Sequence, residues 1–404
     1  MSFDTGSTGF MLLATSLVML MTPGLAFFYG GLVGRKGVLS IMMQSFVSLS
    51  VTTIMWFTVG YSLCFSGDIG GVIGNLDKAF FNGVNLTDAF SATNNIPLVV
   101  FIAYQMMFAV ITPALITGAF ADRVRFKAYL IFQVLWLLLV YFPFTHMVWG
   151  GGLLSDLGVL DFAGGIVVHA TAGMAALASV FFVGKRKIRN TQPHSIPLIA
   201  LGTALLWFGW YGFNAGSELQ VDGITAVAFL NTDIAASFAA MVWLAIEWKR
   251  TGKPKFVGFL TGAVAGLATI TPAAGFVGPK EAALIGIIAG VICFYAVELK
   301  NKLNWDDALD VWGVHGVGGI SGVVLLGIFG TTAINPAGAD GLIHGGVRFF
   351  FVELGAVAFA SLYAFIISYV LLVVINMFTP VRVNEDEQEI GLDETLHGEN
   401  AYLI

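Results

Sequence analysis

Long apolar runs, separated by short polar segments, set the rhythm of the chain. Eleven of them stand out, at approximately Phe10–Val33, Val38–Leu63, Ile96–Phe120, Ala128–Trp149, Phe162–Val183, Ile196–Ser217, Ile224–Ile246, Val257–Val277, Ala282–Val297, Val311–Ile334 and Phe349–Thr379. A helix rises about 1.5 Å per residue and the hydrocarbon core of a bilayer is about 30 Å thick, so roughly 20 apolar residues make one crossing. By that ruler the ninth run is short and the last is long. The pattern predicts an all-α polytopic membrane protein with eleven transmembrane helices. The opening MSFDTGSTGF lacks the basic segment of a signal peptide, so the first run is expected to be a retained span.

Charge placement orients that prediction. Basic residues crowd alternate loops: Arg35 and Lys36; Arg123, Arg125 and Lys127; Lys185, Arg186, Lys187 and Arg189; Lys249, Arg250, Lys253 and Lys255; Lys300 and Lys302; and Arg382 in the tail. Only Lys78, Lys280 and Arg348, of 19 basic residues, fall elsewhere. Eleven spans with the N-terminus outside and the C-terminus cytoplasmic satisfy the positive-inside rule; one span more or fewer scrambles it. With 57% apolar and 11% charged residues, the chain could not cover the surface of a soluble protein of this length. Residues 1–379 read as one membrane domain, with an irregular outer loop at about Ser66–Asn95. Residues 380–404 read as an acidic cytoplasmic tail, with seven acids and no Lys or Arg from Asn384 onward. Composition alone predicts that tail to be disordered. Cys64 and Cys293 are too few for a disulfide framework. No hydrolase or nucleotide-binding constellation is present, and no basic patch for nucleic acid, so an enzyme is not expected.

Glycines spaced by four, at Gly262/Gly266, Gly286/Gly290 and Gly318/Gly322, are packing devices that let helix backbones approach. Two echoes carry more. ITPA recurs at Ile111–Ala114 in the third run and Ile270–Ala273 in the eighth. VVHATAG in the fifth run is echoed by GVHGVGG in the tenth. Both echoes are five runs apart, an odd number, so the two halves would face opposite ways: an inverted repeat of five plus five helices with an additional long C-terminal helix.

Of six histidines, only His169 and His315 fall well inside runs. An intramembrane ionisable residue marks a functional site by default; the bland reading is a neutral ring bonded to a helix carbonyl. A catalytic zinc site needs three protein ligands, and no third His or Cys sits at comparable depth. Two His could ligate a haem, yet no basic residues accompany them for propionates. Paired neutral imidazoles suit a small neutral polar solute, or a proton relay, better than a naked ion. Asp161 opens the fifth run, eight residues before His169. It reads both as a helix N-cap and as a fixed negative charge at the outer mouth. Asp233 and Glu353 receive structural roles; Asp307 and Asp310 read as caps or vestibule carboxylates. Tyr104, Phe108, Trp149, Trp210, Tyr211 and Phe213 could form a cation–π cup, with Ser217 adding a hydroxyl.

PGLAFFYGGLVGRK, FAVITPALITGAFADRVRF, HMVWGGGLL, DFAGGIVVHATAG, GWYGFNAGS, TPAAGF, DVWGVHGVGG and GLDETLHGENAY, in that order and spacing, closely resemble the ammonium transporter/Rhesus protein family, ammonium transporter branch. The resemblance implies a multi-pass cell-membrane protein, a homotrimer in the lipid bilayer, and one pore per protomer. It implies an outer recruitment site for ammonium (or methylammonium) at Phe108, Trp149 and Ser217, with Asp161 behind it. It further implies a gate of Phe108 and Phe213 and a pore lined by His169 and His315, with Tyr104, Trp210 and Thr271 as accessory candidates. No catalytic residue, metal or cofactor is implied. An ordered tail on the cytoplasmic face and control by a nitrogen-regulatory PII protein are. The competing expectations are an ammonium sensor with low flux and a bis-histidine haem redox protein.

Overall fold

The computed structural model describes residues 3–91, 94–188 and 192–402; Arg189 of the fifth loop and the last two residues of the tail lie outside them. Among the described residues there is no β-strand, only three isolated bridges. Ten helices are long and apolar enough to cross a membrane: α1 (Thr5–Leu32), α2 (Val38–Phe65), α3 (Leu98–Phe120), α4 (Phe126–Asp156, interrupted at 150–152), α5 (Gly165–Val183), α6 (Ile196–Glu218) and α7 (Gly223–Thr251); then, after the shorter α8 (Phe256–Ile270), α9 (Pro279–Lys302), α10 (Trp312–Phe329) and α11 (Val347–Phe378).

Helix ends follow local chemistry more than hydropathy. The first helix begins five residues before the apolar run because the Asp4 carboxylate accepts from Ser7 N–H. The expectation of a short ninth helix is corrected: α9 has 24 residues, and α8, with 15, is the short one. Charges at the ends of α9 interrupted the apolar count but not the helix. Pro279 occupies its first turn, Glu281 faces the positive end of its dipole, and Lys300 and Lys302 the negative end. The eighth run, expected to continue to Val277, leaves the helix at Thr271, where Pro272 follows in a series of turns. The tenth ends at Phe329, before Gly330.

The glycines do what their spacing predicts. A Cβ on Gly266 or on Gly286 would lie 2.5 Å from the Ala235 carbonyl, so α8 and α9 both press on the backbone of α7. A Cβ on Gly173 would collide with Gly316 Cα, and one on Gly319 would come 2.7 Å from His169 Cβ. The backbones of α5 and α10 therefore touch at the level of the two intramembrane histidines.

The acidic tail is ordered, against the compositional expectation. Its acids meet the basic loops: Glu387 pairs with Arg125 at 2.7 Å, and Glu385 and Glu389 with Lys187 at 3.0 and 2.8 Å. Val381, Val383 and Leu392 are buried, and the Asp393 carboxylate accepts from Leu39 and Ser40 N–H at the start of α2. This groups the loops at Arg35, Arg123 and Lys187 with the tail at one end of the bundle. The end of α4 and the segment at Asp161 lie at the other.

Candidate functional site

Asp161 organises the end of the bundle opposite the tail. Its Oδ1 accepts from Gly164 and Gly165 N–H (2.8 and 2.6 Å) and its Oδ2 from Ile166 and Val167 N–H (2.8 and 3.2 Å). Three of the donors are first-turn amides of α5, which have no partner inside the helix, and the fourth, Gly164, immediately precedes it, so the capping role expected of Asp161 is present. Its backbone carbonyl is used as well, accepting the indole N–H of Trp149 at 2.8 Å.

Trp149 thereby faces a cavity of about 410 Å³, also lined by Phe108, Asp161 and Ser217. Phe108 meets Trp149 edge-on, with centroids 5.9 Å apart, and stacks on Phe213 at 4.2 Å with 30° between the planes. Phe213 and Ser217 lie one turn apart on α6. The Tyr104 hydroxyl donates toward the Gly212 and Phe213 carbonyls, each 2.8 Å away, and lies 3.3 Å from Ser217 Oγ, which donates to the Phe213 carbonyl at 2.9 Å. Tyr104 is fully buried and works as an anchor for this end of α6. Tyr211 does not join the cup: it stacks on Phe229 and donates to Asp233 Oδ1 at 2.7 Å.

Beneath the stacked rings the space narrows to about 10 Å³, lined by Phe213, Trp210, His169, His315 and aliphatic side chains including Ile111, Leu115, Val168 and Val264. That is about room for one water-sized molecule. His169 and His315 stack at 5.3 Å and 18°, with their Nδ1 atoms 3.3 Å apart. One Nδ1 must then carry the shared hydrogen and the other accept it. His169 Nε2 is buried with no protein partner. Trp210 stacks on His169 at 5.4 Å and donates its indole N–H to Thr271 Oγ at 2.9 Å, so Thr271 acts through Trp210. Each histidine sits on a wide π turn, residues Gly165–Ala170 and Trp312–Gly316, a distortion frequent at functional sites.

On the far side, His315 also lines a second cavity of about 610 Å³ that reaches Asp310, Glu298 and Arg186. Asp307, at this end, accepts from Val311 and Trp312 N–H at 3.1 and 2.8 Å. It caps α10 as Asp161 caps α5, and each carboxylate precedes its histidine by eight residues. That spacing was available in the sequence, and only the first member of the pair stood out there. Neighbouring Asp306 binds Arg186 (2.8 Å) and faces Arg123 (3.6 Å). Burial alone would raise its pKa, but the hydrogen bonds and charges of the two arginines outweigh that and hold the carboxyl well below the usual carboxylate range.

The arrangement is therefore two open cavities with a ring stack and a narrow histidine-lined space between them. Among the described residues no group of three or more metal-ligating side chains converges. A haem does not fit between the histidines: their rings are already in contact, and a porphyrin would have to part them within a space of about 10 Å³.

The chain matches the model of the Ammonium Transporter Family over residues 9–402. It is 47% identical over 399 residues to the ammonium transporter of Bacillus subtilis (strain 168), covering 98% of each chain. It is 43% identical over 400 residues to the ammonium transporter Amt1 of Archaeoglobus fulgidus, covering 98% of this chain and 99% of that one. The crystal structure of Candida albicans Mep2 superimposes with a TM-score of 0.89 at 36% identity, covering 95% of this chain and 88% of that one. Motifs, helical architecture and full-length similarity lead to one conclusion: this multi-pass membrane protein belongs to the ammonium transporter family.

Proposed function

We propose that the chain transports ammonium across the cell membrane as a channel-like transporter, without covalent chemistry. One observation carries the reading: between the two cavities lies a space of about 10 Å³ lined by apolar side chains, Trp210 and a pair of mutually bonded imidazoles. Moving an isolated ammonium ion into such a place costs tens of kcal/mol on the Born estimate. Cation–π contacts with Trp149 and Phe108, at about 0.5–2 kcal/mol per ring, do not offset that. The rings and Ser217 can hold the cation in the outer vestibule, with the Asp161 carboxylate behind them. They cannot carry it through.

In this reading ammonium binds at Phe108, Trp149 and Ser217 and gives up one proton. The ammonia formed passes the Phe108–Phe213 stack and moves along His169 and His315. It regains a proton in the inner vestibule. His169 Nε2, buried and unpartnered, supplies the hydrogen-bonding position that a small neutral solute needs on the way. The proton either crosses separately, giving net current, or returns to the outer side, giving a gas channel.

The membrane reading that goes with it takes α8 as the eleventh span, with the basic, tail-bearing end cytoplasmic and the N-terminus outside. Matching features in α5 and α10 support an inverted repeat of five plus five helices: a capping aspartate, a π turn, and a histidine eight residues on. Residues 1–379 form the transport domain and 380–404 a cytoplasmic tail. The homotrimer and a PII partner implied by the family resemblance belong to the same proposal, and the ordered acidic tail supports a regulated inner face.

The test is methylammonium uptake into vesicles reconstituted with the purified protein, with His169→Ala and Asp161→Ala alongside. Uptake that is saturable in the parent and lost in both variants is the expected result. No uptake by well-folded parent protein would leave the sensor reading standing. Ammonium-dependent current in planar membranes separates the two proton routes.

A further inference from the structure

Glu353 lies in the second turn of an apolar helix, α11, with a side chain wholly shielded from solvent. A carboxyl group inside a spanning segment is costly, and such groups normally pair with a partner or serve a site. Here no ion pair offsets the cost. Oε1 accepts the backbone N–H of Leu160 at 2.6 Å, and Oε2 is buried with no partner. Among the described residues, the only bond this carboxyl makes is therefore to one amide, 193 residues away in the chain.

That amide belongs to the segment on which the outer site hangs. Leu160 itself lines the outer cavity. The next residue, Asp161, holds the Trp149 indole with its carbonyl and the start of α5 with its carboxylate. Phe162 N–H donates to the Pro272 carbonyl at 3.1 Å. Residues 160–162 are thus tied by one bond each to α11, α4 and the turn after α8, and by the four bonds of the Asp161 carboxylate to the head of α5. The tie to α11 is the one supplied by a buried acid side chain from outside the site.

We propose that Glu353 is a positioning residue for the outer site. Through Leu160 it fixes where the Asp161 carbonyl stands, and hence the angle at which Trp149 presents its ring to the arriving cation. The inference rests on the reading of Phe108, Trp149 and Ser217 as the recruitment site. It requires an acceptor at Glu353, not a charge, because an amide oxygen can take the Leu160 N–H as well.

The full-length protein in liposomes, with labelled methylammonium as probe, tests this with Glu353→Gln, Glu353→Ala, Trp149→Leu and the Glu353→Ala/Trp149→Leu double variant. Glu353→Ala should raise the half-saturating concentration about three- to tenfold, the scale of one lost buried hydrogen bond, with the maximal rate within about twofold of the parent. Glu353→Gln should restore the parental value. In the Trp149→Leu background, removing Glu353 should add nothing further. The proposal is overturned if Glu353→Ala leaves half-saturation unchanged, if Glu353→Gln is as impaired as Glu353→Ala, or if the two effects multiply in the double variant. If Trp149→Leu itself leaves half-saturation unchanged, the recruitment site is misassigned and this inference goes with it. A normal Glu353→Ala beside an impaired Trp149→Leu overturns this inference alone. Should Glu353→Ala not fold, Glu353→Ser, too short to reach Leu160, takes its place. Amide exchange of the 158–164 peptide then gives a second readout: faster in the Ser variant and parental in the Gln variant if the tie exists, indistinguishable in the two if it does not.

Discussion

Replacing Asp161 by asparagine exchanges one oxygen for an NH₂ group and should be among the most damaging conservative substitutions in the chain. Each carboxylate oxygen accepts two backbone N–H groups at the head of α5. Asparagine keeps one oxygen and points an NH₂ group at the other two donors. Two hydrogen bonds to an ionised acceptor are lost, at about 1.5–3 kcal/mol each, so the variant should lose about 3–6 kcal/mol. Removing a negative charge from the positive end of the helix dipole adds about 0.5 kcal/mol. Against a typical total stability of about 5–15 kcal/mol that is a large share. Equilibrium unfolding in mixed micelles measures the loss, and vesicle uptake of methylammonium measures its functional counterpart. Since the same residue holds Trp149 through its carbonyl, uptake should fall together with stability. An Asp161→Asn protein that unfolds within about 1 kcal/mol of the parent and transports normally would refute the reasoning from four amides to one carboxylate.

Gly173→Ala would place a methyl group on Gly316 Cα; the overpacking should cost about 1–3 kcal/mol, separate the 3.3 Å histidine contact, and lower uptake more than it lowers the melting temperature. At the inner end, Asp306→Asn breaks a buried pairing with Arg186 and Arg123 and should cost about 3–5 kcal/mol by the same unfolding assay. Because the native pKa of Asp306 lies below its ordinary 3.8, its contribution is complete above that value and is lost as pH falls through the native one, so acid should destabilise the parent but not the Asn variant at this site. Tail docking should respond to pH and salt. The Lys187 hydrogen bond holds Glu389 below its ordinary 4.5, and Glu389 and Glu385 hold Lys187 above its ordinary 10.5. The pair should therefore weaken in acid below about 4.5 and in base above about 10.5, and at high ionic strength throughout; protease sensitivity of the tail reports it.

Hydrophobic runs alone located the helices, because a crossing needs a length of apolar sequence that little else in a protein imitates. Their ends were less legible. Asp4, Pro279 and Lys302 extend helices past the apolar run by capping or dipole complementarity, while Thr271 and Pro272 end one inside it. Single histidines in apolar runs picked out the two rings that stand together in the narrow space. Their mutual contact depends on α5 and α10 crossing at Gly173 and Gly316, a meeting of residues 143 positions apart that no local pattern encodes. Tyr104 and Tyr211 show the same limit from the other side: two tyrosines on neighbouring helices, one anchoring the site and one turned away to Asp233. The Asp307–His315 spacing was legible and passed unused. The Glu353–Leu160 bond was not legible, since nothing near either residue announces the other.

On the proposed route, the size of the histidine-lined space fixes how passages are counted. With room for about one small molecule between two wide vestibules, there is no queue in which a second occupant can push the first. Tracer moving inward and tracer moving outward therefore compete for one berth but do not drag each other along. The ratio of the two unidirectional fluxes should follow the driving force with an exponent of about one, unlike the higher exponents of multi-site filters.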